Sequence, residues 1–413
     1  MVQAAGVFKV VAYKVEGTYG TVPSASGPVG QALRRVTSDL SLTKQTYQSN
    51  EIRPDQQVAD FRHGVRSVEG TITGELSPKT YQDFVAAVVR KDFVSGSVTT
   101  SLTSITIGSA TLGVYPLTRV GGSWLTDGFK VGDVVRLSGA GFTAANIAKN
   151  MMITAITSST AASVIVLNGL TLTPEGPISA SSPACTVTGM KTMAPTTGHT
   201  NKSYSIEHYF GDAGLTLSEV FTGCQPTKMD LQLPPTGIST ISFGILGQNV
   251  TTAATQYFTT PAAVTTTGVT AAVNGVLMVN GALVASVTGF SISVSSERTG
   301  DAVVGSNTIA TRFPGRITAS GQMTAYFESA TLRDLFINET AVGVTVVLTC
   351  DSTANSEFLA ITLPRVKVGG ASKSDGAGGI VQTFPFVGLY NSAGGTGINS
   401  DQSTIVIQDS AAT

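Results

Sequence analysis

The stretch "VEGTITGELSPKTYQDFV", residues 68–85, changes its hydrophobic pattern halfway along. Up to residue 76, small or apolar side chains alternate with polar ones, and this period of two predicts a strand with one buried face. Ser77 is a residue type that caps helix N-termini and Pro78 fits the first helical position, so we predict a helix over 80–90. The apolar face of this helix comprises Tyr81, Phe84, Val85 and Val88.

The same order of elements occurs twice in the chain. Residues 70–84, "GTITGELSPKTYQDF", align without gaps on residues 321–335, "GQMTAYFESATLRDL". Two further pairs of blocks align in the same order, 32–42 on 282–292 and 243–247 on 384–388. Agreement of three blocks in pattern and order predicts a tandem duplication, and we call its halves the first and second modules.

The spacing of the matched blocks locates an insertion in the first module. The second module passes quickly from its helix to its next strand, 344–350, whereas the first takes residues 95–190 before the matching strand, 204–210. The extra residues have strand signals separated by Gly-rich turns, which is typical of a small barrel or sandwich. Loops that face solvent tolerate such insertions, so we expect this domain on the outside of any assembly.

The predicted fold class is mainly β, with two tandem β-sandwich modules, one α-helix in each, and a small all-β insertion. The predicted division of the chain is a first module at 1–94 and 191–250, an inserted domain at 95–190, a linker at 251–272, a second module at 273–392 and a C-terminal tail at 393–413. In the tail a flexible stretch, "NSAGGTGINSDQS", leads to the short predicted strand "TIVIQ" at 404–408.

Each module also has a long polar segment between two strands, 47–66 in the first module and 297–315 in the second. Loops of this length in compact domains are usually functional or disordered. Twin loops at one end of twin strand pairs predict docking onto another subunit. The candidate ring-to-ring contacts in the first loop are Glu51, Arg53, Asp55, Asp60, Arg62 and His63.

Composition narrows the range of functions. The 413 residues are 42% hydrophobic but only 12% charged, with a net charge of −1, so neither nucleic-acid capture nor membrane attraction is predicted. Few charges suit a protein that covers much of its surface against neighbours. No apolar run reaches the ~20 residues that span a bilayer, and the N-terminus lacks the order of segments of a signal peptide. We therefore expect synthesis in a cytoplasm without export.

Searching for reactive groups gives no candidate for catalysis, cofactor binding or metal binding, so we predict that the protein is not an enzyme. The chain has no phosphate-binding glycine motif, nucleophile elbow or H-E-x-x-H. Its cysteines are odd in number and far apart, which favours plain buried residues. The histidines His63, His199 and His208 favour surface or packing roles, and Trp124 favours the core of the insertion over a sugar-binding platform.

Five segments together carry a resemblance to a known family. They are the strand "DLSLTKQTYQS", the returning strand "SVEGTITGELSP", the helix "KTYQDFVAAVV" and the hairpins "TKMDLQLPPTGISTISFGILGQ" and "ITLPRVKVGG…IVQTFPFVGLY". With these segments the chain resembles the major tail tube proteins of long-tailed, siphovirus-type bacteriophages, in a duplicated form with an inserted β domain. The resemblance covers residues 32–94 and 200–390.

The resemblance implies a self-assembling role. In such proteins each module gives four strands to an inner β-barrel, the helix packs outside, and rings stack around a channel through which DNA is ejected. Duplicated members form rings from three chains, so a homotrimer is expected rather than a hexamer. The implied partners are further copies and other tail proteins, namely the tape measure, terminator and distal tail proteins. The implied location is the virion tail, assembled in the host cytoplasm without a membrane.

In that arrangement the polar sides of the strands would face the channel. A neutral to acidic wall repels phosphates, so DNA would slide without specific binding. The predicted lumen-facing residues of the first module are Ser41, Thr43, Glu69, Thr71, Thr73, Glu75, Asp230 and Gln232. Those of the second module are Ser291, Ser293, Thr318, Ser320, Gln322 and Thr324.

Two other classes of function remain as alternatives. A β-rich surface adhesin or carbohydrate-binding structural protein would use the inserted domain and the Thr-rich linker, but would need an export signal. A β-rich carbohydrate enzyme would need two convergent carboxylates in an aromatic groove. Aromatic residues make up only 7% of the chain, and no such pair can be assigned.

Overall fold

A computed structural model describes residues 5–24, 30–179, 182–212, 215–328, 331–374 and 378–413. The chain is mainly β, with two α-helices in its described part, and the predicted fold class is confirmed. The elements up to the insertion are β1 Lys9–Val15, β2 Gln31–Ala32, β3 Thr37–Ser38, β4 Ser41–Gln48, β5 Phe61–Glu75, α1 Gln82–Val89 and β6 Val94–Ser95.

The insertion and the rest of the first module follow. The strands of the insertion are β7 Ser104–Ile107, β8 Val114–Val120, β9 Val134–Ser138, β10 Met151–Ile156, β11 Ala161–Val166, β12 Glu175–Ile178 and β13 Ala184–Val187. The next strands are β14 Met190–Met193, β15 Tyr204–Asp212, β16 Leu215–Leu233, β17 Thr240–Gly247 and β18 Asn249–Ala253.

The second module completes the chain. Its elements are β19 Gly275–Val279, β20 Ala282–Leu283, β21 Val287–Thr299, β22 Phe313–Tyr326, α2 Thr331–Ile337, β23 Val342–Thr349, β24 Phe358–Val368, β25 Ser372–Lys373 and β26 Val381–Gly388. The C-terminal tail contains β27 Val406–Asp409.

Both modules are two-layered and have the same strand order. In the first module one layer runs β4–β5–β17–β16, and the strand β16 then crosses into a second layer with β15, β1 and β2. In the second module the corresponding layer runs β21–β22–β26–β25, and β24 crosses into a layer with β23, β19 and β20. We call the two former layers together the main sheet.

The modules join edge to edge within the main sheet. Residues Lys228–Leu233 of β16 pair antiparallel with Phe290–Ser295 of β21, so seven consecutive strands, from β4 to β26, form one continuous surface. Apolar side chains from its inner face, among them Ile72, Phe243 and Phe384, share a single core with both second layers. Burial of this common apolar surface is the main force that holds the modules side by side.

The helix α1 is shorter than predicted. It begins at Gln82 with Tyr81 as N-cap, and Ser77 instead hydrogen-bonds the Thr80 hydroxyl at 2.6 Å, so the predicted cap is wrong. Arg90, at the predicted last position, is the left-handed C-cap. The predicted inward face is confirmed, because Tyr81, Phe84, Val85 and Val88 are all buried.

Glycine explains how the strand β5 passes so closely beneath this helix. A side chain at Gly74 would meet the Tyr81 hydroxyl at 1.7 Å, and that hydroxyl donates a hydrogen bond of 2.9 Å to the Arg34 carbonyl. The small residues on the buried side of β5 therefore make room for the tyrosine that anchors the start of α1.

The twin loops are shorter than predicted because the flanking strands extend into them. β4 runs to Gln48 and β5 begins at Phe61, so the first loop is only 49–60. Its predicted members Arg62 and His63 lie on β5, in a hairpin stem. The second loop is likewise reduced to 300–312. The alternation of small and polar residues in these hairpin stems is weak, so the sequence pattern did not predict that the strands extend this far.

The inserted strands form a separate seven-stranded sheet in the order β12–β7–β8–β11–β10–β9–β13. Trp124 lies at its centre, fully buried and edge-on to Phe129 at 5.1 Å, as predicted for a core residue. The insertion does not hang free, because Val134, Met152 and Ile165 pack on Val347 and Phe358 of the second module. This contact is on the side of β23 and β24 that faces away from the main sheet.

The predicted C-terminal strand is present as β27, whereas the stretch before it, which was predicted to be flexible, is held against the protein. β27 pairs with β14 on one side and β24 on the other, within the same chain. Upstream of it, Lys130 of the insertion donates hydrogen bonds to the carbonyls of Gly395 and Ile398 at 2.7 and 2.6 Å. The tail thus ties the insertion, the first module and the second module together.

Candidate self-assembly site

The outer surface of the main sheet is mostly polar, with Leu246 and Val387 as apolar exceptions. Cross-strand neighbours in an antiparallel sheet project to the same side, so the strand register decides which residues share a face. Ser41 pairs with Glu69, Thr73 with Ser242, and Ser242 with Asp230. Across the module junction Asp230 pairs with Ser293, and Ser293 pairs with Ser320. We call this surface the polar face.

All fourteen residues predicted from the alternation lie on this one face, and none of them is buried. The structure therefore brings together residues that lie far apart in the sequence. Whether the face lines a channel is a separate question, because a single chain contains no closed barrel in its described residues. The register also adds residues that the sequence did not single out: Ser67, Lys228, Thr240, Ser242, Ser295 and Thr383.

Cations on the polar face were missed in the sequence. Lys228 forms an ion pair of 2.9 Å with Asp230, two residues further along the same side of β16. Lys367 is the strand partner of Val387, which is also the strand partner of Ser320, so Lys367 lies on the same face. Its Nζ is 3.6 Å from Oε2 of Glu339. Each of these lysines thus has a carboxylate close by that offsets its charge. Strand alternation could have revealed Lys228, since it is two positions before Asp230.

The main sheet ends in two open edges. At the first, β4 pairs only with β5 among the described residues, and nearly all of its side chains are exposed. At the second, Lys367 and Val368 at the end of β24 and the short strand β25 pair only with β26 within the described chain. Open edges offer unpaired N–H and C=O groups to another strand.

These two edges correspond to the strands that already pair inside the chain. Ile72 aligns with Met323 and Phe243 with Phe384, so β4 is the equivalent of β21, and the β24–β25 edge is the equivalent of β16. The junction between β16 and β21 is therefore a template for a contact between the two open edges of different copies. Leu42 and Ala371, one at each edge, are partly buried against the common core. They occupy the positions equivalent to Val294 and Met229, which are fully buried at the internal junction.

The two helices differ in how much of their surface is covered by the rest of the chain. α1 of the first module is buried from Phe84 to Val89, and Leu359 of the second module and Ile407 of the tail line the small cavity beside it. α2 has no buried residue, and its Phe336 and Ile337 side chains are 41% and 61% exposed. The first module thus has a neighbour over its helix, and the second module lacks one in the isolated chain.

The two loops also differ in what they contact. The loop 300–312 folds onto the first module, where Arg312 donates to the Gly247 carbonyl at 2.8 Å and the Gln248 amide donates to the Ile309 carbonyl at 2.9 Å. The loop 49–60 projects from the hairpin with its apolar residues in solvent; Ile52 is 98% exposed and Val58 is 59% exposed.

The charged residues predicted as contacts cluster around this exposed loop. Arg53 pairs with Asp55 at 3.0 Å and holds the pKa of that carboxyl below its usual value by hydrogen bonding. Asp60 pairs with Arg62 at 2.7 Å, and the His63 ring packs edge-on to Phe61 at 5.2 Å. Exposed pairs of this kind contribute little to stability, which leaves these side chains free to exchange partners.

Other chemistry is sparse in the part of the chain described here. No group of three or more His, Cys, Asp or Glu side chains is gathered as a metal site there. Cys185 and Cys224 are buried and Cys350 is half-buried, all three as free thiols, and burial raises the pKa of each. No described helix has the length and apolarity to cross a bilayer.

A twinned β-sandwich with a broad, mostly polar sheet face, two open sheet edges and an uncovered helix among its described residues has the architecture of a structural protein. The chain matches the model of the phage tail tube protein family over residues 9–388, and it belongs to that family. No curated protein matches the chain as a relative. The family makes the chain a structural protein of the phage tail.

Proposed function

We propose that three copies of the chain close into a ring, and that stacked rings form the tube through which phage DNA is ejected. The observation that carries this proposal is the strand pairing between β16 and β21, which joins two equivalent modules side by side. Repeating the same step between chains would pair the β24–β25 edge of one copy with β4 of the next. A cyclic arrangement then leaves no open edge in the main sheet.

The internal junction supports a register for the proposed contact between chains. Asp230 pairs with Ser293 at the internal junction. Ser372 lies opposite Thr383, as Asp230 lies opposite the matching residue Ser242, so Ser372 is the equivalent of Asp230. Likewise Ser41 lies opposite Glu69, as Ser293 lies opposite the matching residue Ser320, so Ser41 is the equivalent of Ser293. We therefore expect Ser372 of one copy opposite Ser41 of the next, both on the polar face.

The polar face would then form the inner wall, since the helices and the insertion lie on the other side of the main sheet. A wall of hydroxyls, amides, carboxylates and paired lysines has few free cations to hold phosphates. The contacts of the loop 300–312 with the first module suggest the same lateral position for the loop 49–60, over the second module of the neighbour. This differs from the ring-to-ring role predicted from the sequence. The family match favours this function over the adhesin alternative.

A pair of cysteines tests the ring. Ser41→Cys combined with Ser372→Cys should give, under mild oxidation of the assembled protein, covalent species up to three chains on a denaturing gel. Each single substitution should give none, and neither should Ser41→Cys combined with Thr160→Cys in the insertion. Native mass spectrometry of the unoxidised rings should give three chains. Six chains per ring, or a monomer at all concentrations, would refute the proposal.

A further inference from the structure

The linker between the modules has a defined site on the first module. The Thr270 N–H donates to the Leu76 carbonyl at 2.9 Å, and the Ser239 N–H donates to the Thr270 carbonyl at 3.0 Å. Next to it, Ala271 forms an antiparallel bridge with Ile238. The linker therefore adds a short strand across the end of the first module, where Leu76 and Ser239 are fully buried.

Further upstream the linker fills a groove in the first module. Arg34 donates to the Thr267 carbonyl at 2.7 Å, and the Thr80 and Thr265 hydroxyls are 2.5 Å apart. The Ala32 N–H donates to the Ala262 carbonyl at 3.0 Å. The segment that precedes the second module thus lies along the first.

The matching site on the second module is uncovered by the described part of the chain. Phe327 and Ile380 are the equivalents of Leu76 and Ser239, and the hydrogen bond from the Phe327 N–H to the Ile380 carbonyl, 2.9 Å, repeats the one from Leu76 to Ser239, 2.8 Å. Yet their side chains are 36% and 46% exposed. Beside them a groove of about 330 Å³ is lined by Leu283, Ala285, Thr331 and Leu332, the equivalents of Ala32, Arg34, Thr80 and Tyr81.

The N-terminal segment is the structural counterpart of the linker. A 3₁₀ turn at Gly6–Phe8 leads into β1, as a 3₁₀ turn at Ala272–Asn274 leads into β19. The extended residue before each turn is an alanine, Ala5 or Ala271. In this turn the Val7 side chain is 91% exposed and the Phe8 side chain 51% exposed, so apolar surface is uncovered on this side as well.

We propose that the N-terminal segment of one copy, up to Ala5, adds as a strand to the second module of its neighbour, across Gly379 and Ile380. Within one chain, the segment that precedes the second module lies on the first module. If the same relation holds between neighbouring chains of a ring, the segment that precedes the first module lies on the second module of the neighbour, so the inference rests on the ring proposed above. The bridge between Ala271 and Ile238 sets the register, and its equivalent pairs Ala5 with Gly379 of the other copy. Each copy would then be joined to the next by two separate strand pairings.

Cysteines at the two matched positions test the contact. Ala5→Cys with Gly379→Cys should yield covalent species up to three chains when the assembled rings are oxidised. Ala5→Cys paired with Leu112→Cys, at a fully exposed position on the insertion, is the matched control and should stay monomeric on the gel. An intrachain bond, which would leave a single chain of altered mobility, would overturn the proposal, as would no bond at all.

Hydrogen exchange tests the same contact in the unsubstituted protein, without introduced cysteines. Assembly should slow exchange of the Ile380 amide at least about tenfold, because that N–H gains an acceptor. Removal of residues 1–4 should abolish this protection. The disulfide of the Ser41→Cys, Ser372→Cys variant separates the two proposals. If this disulfide forms in rings whose Ile380 amide stays unprotected, the N-terminal contact is wrong and the ring stands. If neither is seen, both are wrong.

Discussion

At the scale of single residues, His208 gives the clearest link between burial and behaviour in solution. The ring is 2% exposed, with one nitrogen 2.8 Å from the Ser38 hydroxyl and Phe221 edge-on at 4.9 Å. Burial, aided by the nearby charges of Lys9 and Arg35, lowers the pKa of His208 from 6.5 to about 3. The folded protein therefore keeps this histidine neutral where an unfolded chain would protonate it.

The sign of the pH effect follows from this shift. Between pH 6.5 and 3 the unfolded state binds the extra proton, so acid destabilises the fold. We expect His208 to reduce the free energy of unfolding by about 3 kcal/mol between pH 7 and pH 4. His208→Gln, which retains a partner for Ser38, should remove that part of the pH dependence in chemical denaturation. An unaltered pH slope in the variant would contradict the assignment.

At the scale of elements, a buried charged cluster fastens the insertion and the tail to the modules. Lys191 on β14 lies 2.5 Å from Asp133 at the start of β9 and 3.4 Å from Asp401 in the tail. Burial raises the pKa of Asp133, while the two carboxylates raise the pKa of Lys191 despite its own burial. The lysine is what makes two buried carboxylates tolerable at this point.

Removing that lysine should therefore be costly. Lys191→Met leaves Asp133 buried without its cation, and we expect a loss of about 3–5 kcal/mol in the free energy of unfolding. Lys228→Met is the matched control, because Lys228 also pairs with an aspartate but is half exposed. It should cost less than about 1 kcal/mol. Urea denaturation of the two variants distinguishes them, and equal losses would argue against the cluster as a fastening.

Elements also mark where sequence reasoning succeeded. The strand alternation placed all fourteen polar-face residues on one face, as observed. A shift of two residues in register does not change this result, because it keeps each side chain on the same face of the sheet. Such an error occurred: the alignment placed Leu40 on Phe290, whereas the observed pairing makes Ser38 the equivalent of Phe290. The Ser77 cap failed because the chain makes a turn at Pro78 to Tyr81 before the helix begins.

At the scale of the whole molecule, the proposed tube makes the charge of the polar face a property that can be tested. Glu69 lies on the exposed part of this face and Glu75 near its end. Glu69→Lys with Glu75→Lys should leave ring assembly intact, because neither carboxylate contributes to the core, but should slow DNA ejection by adding phosphate contacts.

The matched control keeps the size and removes only the charge. Glu69→Gln with Glu75→Gln should eject DNA at nearly the normal rate. Ejection would be followed in phage carrying each variant, by release of dye-stained DNA after receptor triggering, with tails checked by electron microscopy. Lysine variants that eject DNA as fast as the glutamine variants would remove the polar face from the channel wall.

The sequence by itself predicted the mainly β class and the polarity of the strand faces. These are local properties, set by alternation and by turn residues over a few positions. Only the tertiary structure decided that β16 pairs with β21, that the insertion packs on the second module, and that the linker and the tail are held in place. Those contacts join residues far apart in the chain, and they depend on which apolar surfaces and unpaired strand edges remain once each module has folded.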